Sequence, residues 1–348
     1  MESMKNEFKD ITNFNKRAIY KLWKNYHFKD NEIIPVGNKD KSYGFAVNGK
    51  DILPLISENL ADYFSIEDKN LFYNKFRMSC SGNGGEELKI TTLHSSSLCA
   101  LLFFYNVCED NPLEIDKIPG YEFVDSVFEF KNKVIGYPSN IDIVLLGRKK
   151  SKRDEKIILF LESKFSEYIT GITTKNSKYE IGKSYFSNDY SKPFYKEEFL
   201  KTLQLKRYEE NSKTYLKPLD EVKENGKYIE GIKQMISHYV GIRNFINGKY
   251  FYNSSEEILE RVKKYRGGEI ILGEILFDKF EDELTSKYLK PYEKDYKEVA
   301  KTINKEAKRG NCEQFRILET PLHYSDLKDL IKDEKIKEYY FKELRQKQ

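Results

Sequence analysis

Three charged residues near the ends of two apolar segments have the types and spacing that metal-dependent chemistry requires. Asp142 lies in SNIDIVLLG, and Glu162 and Lys164 lie in KIILFLESKF. If these segments pair as antiparallel strands around the polar connection RKKSKRDEK, the register that centres the hairpin on Lys152 places Asp142 opposite Glu162. Side chains alternate along a strand, so Glu162 and Lys164 project on one face and Ser163 on the other.

Two acids in this position have a cost that a divalent cation removes. Like charges facing each other destabilise a strand pair, and two carboxylates about 4 Å apart repel by roughly 4 kcal/mol at an effective dielectric constant near 20. Mg²⁺ is typically bound by one or two carboxylates, water and a substrate phosphate. The pattern therefore predicts a Mg²⁺ site, with Mn²⁺ as a substitute, at Asp142 and Glu162, and Glu129 in the preceding segment VFEF as a further ligand.

An exposed ion pair is the alternative interpretation of Glu-x-Lys in a chain this rich in both residue types. The facing Asp142 and the apolar segments around it favour the buried site.

The elements that must position these residues are strands and helices of ordinary length. Runs rich in Val, Ile, Leu and Phe, bounded by turn residues, predict strands at 121–130, 139–147, 156–165 and 268–278. The second and third runs are apolar on both faces, which indicates a sheet covered on both sides. Apolar residues at helical spacing predict helices at 229–246 and 255–265.

The rest of the chain divides by composition. Residues 1–80 are predicted to form a helical N-terminal region, and 281–348 a mainly helical C-terminal region. Between them, 81–280 forms the predicted core. It includes a buried helix within 93–107 opened by serine caps and a polar, aromatic insertion at about 166–228. The glycine-rich turn before that helix lacks the GK[ST] of a phosphate-binding loop.

Composition narrows the class of protein. The 348 residues carry 60 Lys and Arg against 56 Asp and Glu, a net charge of +4, and 39% are hydrophobic, which disfavours disorder throughout. No apolar stretch approaches the roughly 20 residues of a membrane span, and MESMKNEFKD has no apolar signal core. We therefore expect a soluble cytoplasmic protein with no membrane partner. The four cysteines show no CxxC pairing, and the four histidines are scattered, which disfavours a zinc site.

Several motifs, taken in order, resemble the PD-(D/E)XK nuclease superfamily. They are GNGGEELK, HSSSLCALLFFYNV, VFEF, SNIDIVLL, ESKFSE and QMISHYVGIRN, over roughly residues 80–280. More closely, these motifs resemble an uncharacterised bacterial branch of restriction-endonuclease-like proteins. Asn140-Ile141-Asp142 stands where the family's name motif has Pro-Asp. The resemblance implies an α/β (α+β) fold with a restriction-endonuclease-like core, a mixed central β-sheet flanked by helices.

The resemblance also implies roles for individual residues. Asp142 and Glu162 would hold Mg²⁺, with Glu129 as an auxiliary ligand. Lys164 would stabilise charge on the phosphate or position the attacking water, and Gln234 would orient Lys164, the water or DNA.

Two further residues are candidates for supporting roles. His238 lies four residues after Gln234 on the same helical face, and a packing role is its alternative. Glu87 would be an acid on the first core helix, although acids are common at helix starts.

The implied activity is hydrolysis of DNA phosphodiester bonds by a Mg²⁺-dependent endonuclease, in a restriction or other defence enzyme. A nuclease for RNA, branched DNA or damaged DNA, and a binding protein without turnover, are the alternatives. Double-stranded DNA is the expected partner. A homodimer and a partner methyltransferase are compatible with the resemblance, although the residues indicate neither.

Two basic segments are candidates for contact with nucleic acid. The hairpin tip 148–156 has six basic and two acidic residues, and the aromatic segment 175–217 has ten basic and six acidic residues. Basic side chains can follow phosphates while aromatic rings stack on bases. The residues expected to contact nucleic acid are Arg148, Lys149, Lys150, Lys152, Arg153, Lys183, Lys206 and Arg207.

Overall fold

A mixed six-stranded β-sheet with helices on both faces forms the centre of the protein. The computed structural model describes residues 22, 33–36, 42–45, 53–81, 90–135, 137–169, 178–219, 227–250, 256–280 and 285–342. This arrangement agrees with the predicted mixed α/β class and with a central sheet flanked by helices.

The eleven strands of the described residues form three sheets. They are β1 Ile33–Val36, β2 Ser42–Phe45, β3 Tyr121–Lys133, β4 Pro138–Lys149, β5 Lys152–Lys164, β6 Tyr179–Ile181, β7 Leu205–Glu210, β8 Lys213–Pro218, β9 Glu269–Leu276, β10 Phe315–Ile317 and β11 Leu322–His323. The central sheet has the order β10-β9-β5-β4-β3, and β11 also pairs with β9. Strands β3, β4 and β5 are antiparallel, whereas β9 is parallel to β5, β10 and β11.

Nine α-helices have assigned bounds within the described residues. They are α1 Leu53–Phe64, α2 Lys69–Ser79, α3 Ser96–Phe104, α4 Ser184–Ser187, α5 Glu197–Thr202, α6 Ile229–Ile246, α7 Glu256–Lys263, α8 Lys290–Arg309 and α9 Glu334–Phe341. Short 3₁₀ helices span Lys192–Tyr195 and Tyr324–Leu330, and a π-helical turn spans Thr285–Leu289.

The middle strands are apolar on both faces because each face meets a layer of helices. Ile143 and Leu145 of β4 pack into a cluster with residues of α1, α2, α3 and α9. Val144 and Leu146 pack on the other face with residues of α6, α7 and α8. The prediction of a covered sheet is therefore confirmed, and hydrophobic burial on both sides stabilises these strands.

Helix α6 lies close against β3 because of a glycine at the contact. A Cβ atom at Gly241 would come within 2.7 Å of the Cβ of Asn132, so a larger residue would push the helix away. This close approach places the polar residues of α6 next to the ends of β4 and β5.

Helix α3 is the buried helix predicted within 93–107. Ser95 is its N-cap and accepts a hydrogen bond from the backbone of Leu98 at 3.1 Å. Every residue from Leu98 to Phe104 is buried. The serine cap and the apolar run therefore identify this helix from sequence.

The two terminal regions, predicted to be helical and mainly helical, also contain short strands beside their helices. β1 and β2 form an antiparallel hairpin inside the region predicted to be helical, since the β-branched pair before Pro35 favours extended backbone and proline disfavours a helix interior. The C-terminal region contributes β10 and β11 to the central sheet. These strands of three and two residues are too short to show a periodicity.

The predicted insertion at about 166–228 contains a second sheet of three strands in the order β6-β8-β7. Glu87 lies outside the described residues. In the described part of the chain, no helix combines the length and apolarity needed to cross a bilayer.

Candidate active site

The register of the β4–β5 hairpin is the one predicted from sequence. Its pairs run from Ile143 opposite Leu161 to Arg148 opposite Lys156, and the same register places Asp142 opposite Glu162. The connection differs from the prediction, because a bulge after Arg148 shortens the turn and β5 already begins at the predicted centre. The local irregularity at the tip leaves the pairing at the other end unchanged.

Glu129 and Glu274 extend this pair into a row of four acids across the sheet. Two pairs between β3 and β4 bracket Glu129, so it lies opposite Asp142. On the other side, Glu162 pairs directly with Glu274 in the parallel register of β5 and β9. Four acids thus occupy neighbouring positions on four adjacent strands.

Glu129 has an unusual backbone conformation for a strand. Its φ is +52°, in the left-handed region that non-glycine residues rarely adopt. It is 8% exposed and interrupts the pairing of β3 with β4. Such a conformation costs on the order of 1–3 kcal/mol and is frequent at functional sites.

Lys164 is held between an acid and an amide. Its Nζ donates to Oε1 of Glu162 at 2.6 Å and to Oε1 of Gln234 at 2.7 Å. The lysine is 3% exposed. Burial is the largest single effect and lowers the pKa of Lys164, but the surrounding negative charges, led by the Glu162 carboxylate, together outweigh it and raise that pKa well above its ordinary value. Lys164 therefore carries a fixed positive charge at neutral pH.

The second oxygen of Glu162 contacts His238. The imidazole Nε2 lies 2.9 Å from Oε2 of Glu162, and Nδ1 lies 2.6 Å from the hydroxyl of Ser139. Burial would raise the pKa of Glu162, but Lys164 and His238 together lower it to about 2. Because an ionised carboxylate only accepts hydrogen bonds, His238 Nε2 carries the proton. His238 therefore does more than pack.

Asp142 is held by the backbone of the neighbouring strand. Its Oδ2 accepts a hydrogen bond from the N–H of Ser163 at 2.7 Å. Burial, followed by the negative charges of Glu162 and Glu129, raises the pKa of Asp142 well above its ordinary value. This part of the row therefore has an excess of negative charge.

Glu274 is the acid that the sequence analysis missed. The hydroxyl of Tyr292 donates to its Oε2 at 2.7 Å, while its Oε1 is buried and has no hydrogen-bond partner among the described residues. Burial raises the pKa of Glu274 to about 8. A signal was available, since an acid interrupts the apolar strand IILGEILF.

Helix α6 supplies the side chains that contact the Glu and the Lys of the ExK segment, together with the acids of the sheet. Gln234 and His238 are four residues apart and so share one face of the helix. That face meets Lys164 and Glu162, respectively. The structure thus brings together Glu129, Asp142, Glu162, Lys164, Gln234 and His238.

The row of four acids offers the oxygen donors that a divalent cation needs, but these side chains are not arranged around one. Carboxylate oxygens are the donors that Mg²⁺ prefers, and the excess negative charge at Asp142 is what a cation would offset. In the ranges that the structure describes, however, no three Asp, Glu, His or Cys side chains already lie in a metal-ligating arrangement. Both oxygens of Glu162 are engaged, so it could ligate a cation only by exchanging one of those hydrogen bonds.

The basic hairpin tip lies at the other end of the same strands. Six residues separate Asp142 from Arg148, which corresponds to roughly 20 Å of strand. Arg148 pairs with Glu109 and Glu122, so acids distant in sequence offset part of the local surplus.

The neighbouring lysines at the tip are also paired. Lys149 and Lys152 both contact Glu155, and Lys150 contacts Glu114. The tip is therefore a set of exposed ion pairs rather than a bare basic patch. Arg153 is exposed beside them.

The remaining basic candidates lie around the small sheet. Lys206 and Arg207 are neighbours on β7, and Arg207 lies over the ring of Phe186 at 4.2 Å. Lys183 is exposed just before α4.

Comparisons with protein-family models, curated proteins and solved structures found no match to this chain.

Proposed function

We propose that this protein is a Mg²⁺-dependent endonuclease of the PD-(D/E)XK type that hydrolyses DNA phosphodiester bonds, acting as a restriction or other defence enzyme. The observation that carries the proposal is the buried set Asp142, Glu162 and Lys164, with Lys164 held at 2.6 Å and 2.7 Å by Glu162 and Gln234. A hairpin with only a structural role would gain by avoiding these charged side chains at buried positions, because removing charge from water costs free energy.

The order of elements supports the same proposal. A buried helix, three antiparallel strands, a helix with Gln234 and a strand parallel to β5 follow one another along the chain. The resemblance implies the same order for the acidic strand, the Asp strand, the ExK strand and the helix bearing a glutamine.

Each residue has a role in the proposed mechanism. Asp142 and Glu162 would hold the cation, with Glu162 releasing one of its hydrogen bonds to do so, and Glu129 would be an auxiliary ligand. When bound, the cation polarises the phosphate and lowers the pKa of a water molecule. Lys164 Nζ provides a preorganised positive charge for the negative charge that develops on the phosphate. Gln234 fixes the direction of that ammonium group, and His238 holds Glu162.

Cleavage of plasmid DNA by the purified protein with Mg²⁺ or Mn²⁺ tests the proposal. Wild type should nick or linearise the plasmid, and Lys164→Ala should lose about 10²- to 10³-fold of that rate. RNA, branched and damaged DNA substrates are tested in parallel. Equal background cleavage by wild type and variant on every substrate would reject a nuclease.

A nucleic-acid-binding protein without turnover is the second candidate. It is favoured by the engagement of both oxygens of Glu162 with Lys164 and His238. Retention of nucleic acid with unchanged affinity and no product in either metal would support this candidate.

A further inference from the structure

The three-stranded sheet β6-β8-β7 has one buried face and one face in solvent. Leu205, Leu216 and Ile181 are buried in the cluster on the α6 side of the central sheet. Residues of opposite parity project to the other face and are half-buried or exposed. This outer face carries Lys178, Lys206, Tyr208, Lys213, Tyr215 and Lys217, and we call these six residues the tyrosine platform.

The two tyrosines are arranged as a stack at the middle of the platform. Tyr208 and Tyr215 are directly paired across β7 and β8. Their ring centroids are 5.4 Å apart and their planes differ by 25°. Lys217 lies 4.4 Å from the centroid of Tyr208, and Lys178 lies 4.7 Å from that of Tyr215. Aromatic surface and positive charge thus alternate across the face.

The charge of the face matches a polyanion. Four lysines share it with two acids, Glu180 and Glu210, which form ion pairs at its margins with Lys213 and Lys178. Lys206 faces Lys217 directly across the strand pair. The two ammonium groups are therefore neighbours on the same face, where one phosphate group is within reach of both.

We infer that the tyrosine platform binds a single-stranded segment of nucleic acid, with unpaired bases stacking on Tyr208 and Tyr215 and phosphates lying against the lysines. Base faces are covered in a duplex but accessible in a single strand, where aromatic side chains on a sheet stack with them. The inference concerns the substrate of the proposed nuclease and rests on that proposal for its role in cleavage. The binding itself is measured separately from cleavage.

The platform is connected to the candidate active site through α6. The buried face of the small sheet packs in the same apolar cluster as α6. In addition, the hydroxyl of Tyr185, on α4, lies 2.7 Å from that of Ser237, on α6. The same helix presents Gln234 to Lys164. A single-stranded nucleic acid bound on the platform would therefore lie on the same side of the central sheet as α6, the helix that carries Gln234 and His238.

The test is fluorescence anisotropy with the full chain in EDTA, so that binding is measured without cleavage. The probes are labelled oligo-dT, oligo-rU and a duplex of about 20 nucleotides each. Tyr208→Ala and Tyr215→Ala should each weaken single-strand binding at least fivefold, because a base–aromatic stack contributes about 1–3 kcal/mol. Tyr208→Phe and Tyr215→Phe should retain binding, and Tyr73→Ala on α2 is the matched control at a half-buried tyrosine.

A second pair of variants protects the test against loss of folding. Lys206→Glu and Lys217→Glu change surface charge and should weaken binding and flatten its salt dependence, since each removes one phosphate contact. The inference would be overturned if the alanine and glutamate variants bound single strands with the affinity of wild type. It would also be overturned if the protein bound the duplex more tightly and only the lysine variants weakened that binding. A similar loss of affinity for oligo-dT and oligo-rU in the platform variants would show that the bases are recognised whichever sugar carries them. A loss with only one of the two probes would show whether the platform binds DNA or RNA.

The outcomes separate this inference from the proposed nuclease. Cleavage of DNA with no loss of single-strand binding in the platform variants rejects the platform and leaves the nuclease. Loss of binding in those variants, with no cleavage by wild type in Mg²⁺ or Mn²⁺, supports the platform and rejects the nuclease.

Discussion

The two ends of the β4–β5 hairpin contain similar residue types in opposite environments. At the tip, lysines and acids form ion pairs whose side chains are about 40–60% exposed, such as Lys152 with Glu155. At the other end, Lys164 and Glu162 are 4% and 6% exposed in their side chains. Water screens the exposed ion pairs at the tip, so each is weak, whereas the buried pair Lys164–Glu162 is screened much less. Charge counted along the sequence therefore does not show which charged side chains are withdrawn from water.

The largest expected effect is at Lys164. Lys164→Met should destabilise the fold by about 3–5 kcal/mol, because it leaves the buried Glu162 charge with one partner fewer. Chemical denaturation measures this loss, and the matched variant at the tip is Lys149→Met. A similar small change in both variants would contradict the contrast between the two ends.

The next effect is at Asp142. Asp142→Asn retains an oxygen for the N–H of Ser163 but removes one of the crowded negative charges. Cleavage should fall by about 10²- to 10³-fold, in keeping with the loss of a group at the reacting charge, while the metal-free protein becomes at least as stable as wild type. Thermal melts should show stabilisation by Mg²⁺ in wild type and none in the variant.

Asp154→Asn on the exposed tip is the control for that experiment. It should keep the Mg²⁺-dependent stabilisation and the cleavage rate. A loss of stability in Asp142→Asn, with the Mg²⁺ effect intact, would show that Asp142 is a structural acid.

A pH-dependent effect of a few kcal/mol is expected at Glu274, because its pKa differs by several units between the folded and unfolded chain. Its pKa in the folded chain is about 8, against an ordinary value near 4.3, so the folded state binds more protons than the unfolded state between these values. Stability is therefore present at low pH and is lost as pH rises through about 8. Glu274→Gln should remove this part of the pH dependence, as measured by denaturation in EDTA from pH 5 to 9. An unchanged profile would contradict the assignment.

The smallest effect is expected at the tip. Glu155→Gln removes the partner of both Lys149 and Lys152, and exposed pairs contribute little to stability. The melting temperature should stay unchanged within error, as should cleavage. A clear loss of cleavage with normal melting would instead assign the tip to DNA binding.

The candidate site could be predicted because much of it depends on local patterns. The register of Asp142 and Glu162 follows from strand alternation and a short connection, and α6 follows from its apolar spacing. The contact of Gln234 with Lys164 is one of the three roles that the resemblance implied for Gln234. No local pattern specifies it, because 70 positions separate the two residues.

The remaining features depend on pairing across long sequence distances. Glu274 enters the row through a parallel strand, and the acids that neutralise Arg148 and Lys150 lie upstream at Glu109, Glu122 and Glu114. No local pattern specifies these partners. The strands of the small sheet were missed because their outer face is rich in Lys and Tyr, which hides the apolar alternation.

Diffraction from crystals soaked in Mn²⁺ would show whether a cation binds the acid row, because manganese gives an anomalous signal that locates it. We expect a peak within about 2.5 Å of carboxylate oxygens of Asp142 and Glu162, with Lys164 adjacent and one hydrogen bond of Glu162 released. Crystals of the Asp142→Asn variant should lack that peak. A wild-type crystal with no manganese at these acids, from protein that cleaves DNA in the same solution, would contradict the assignment of the site.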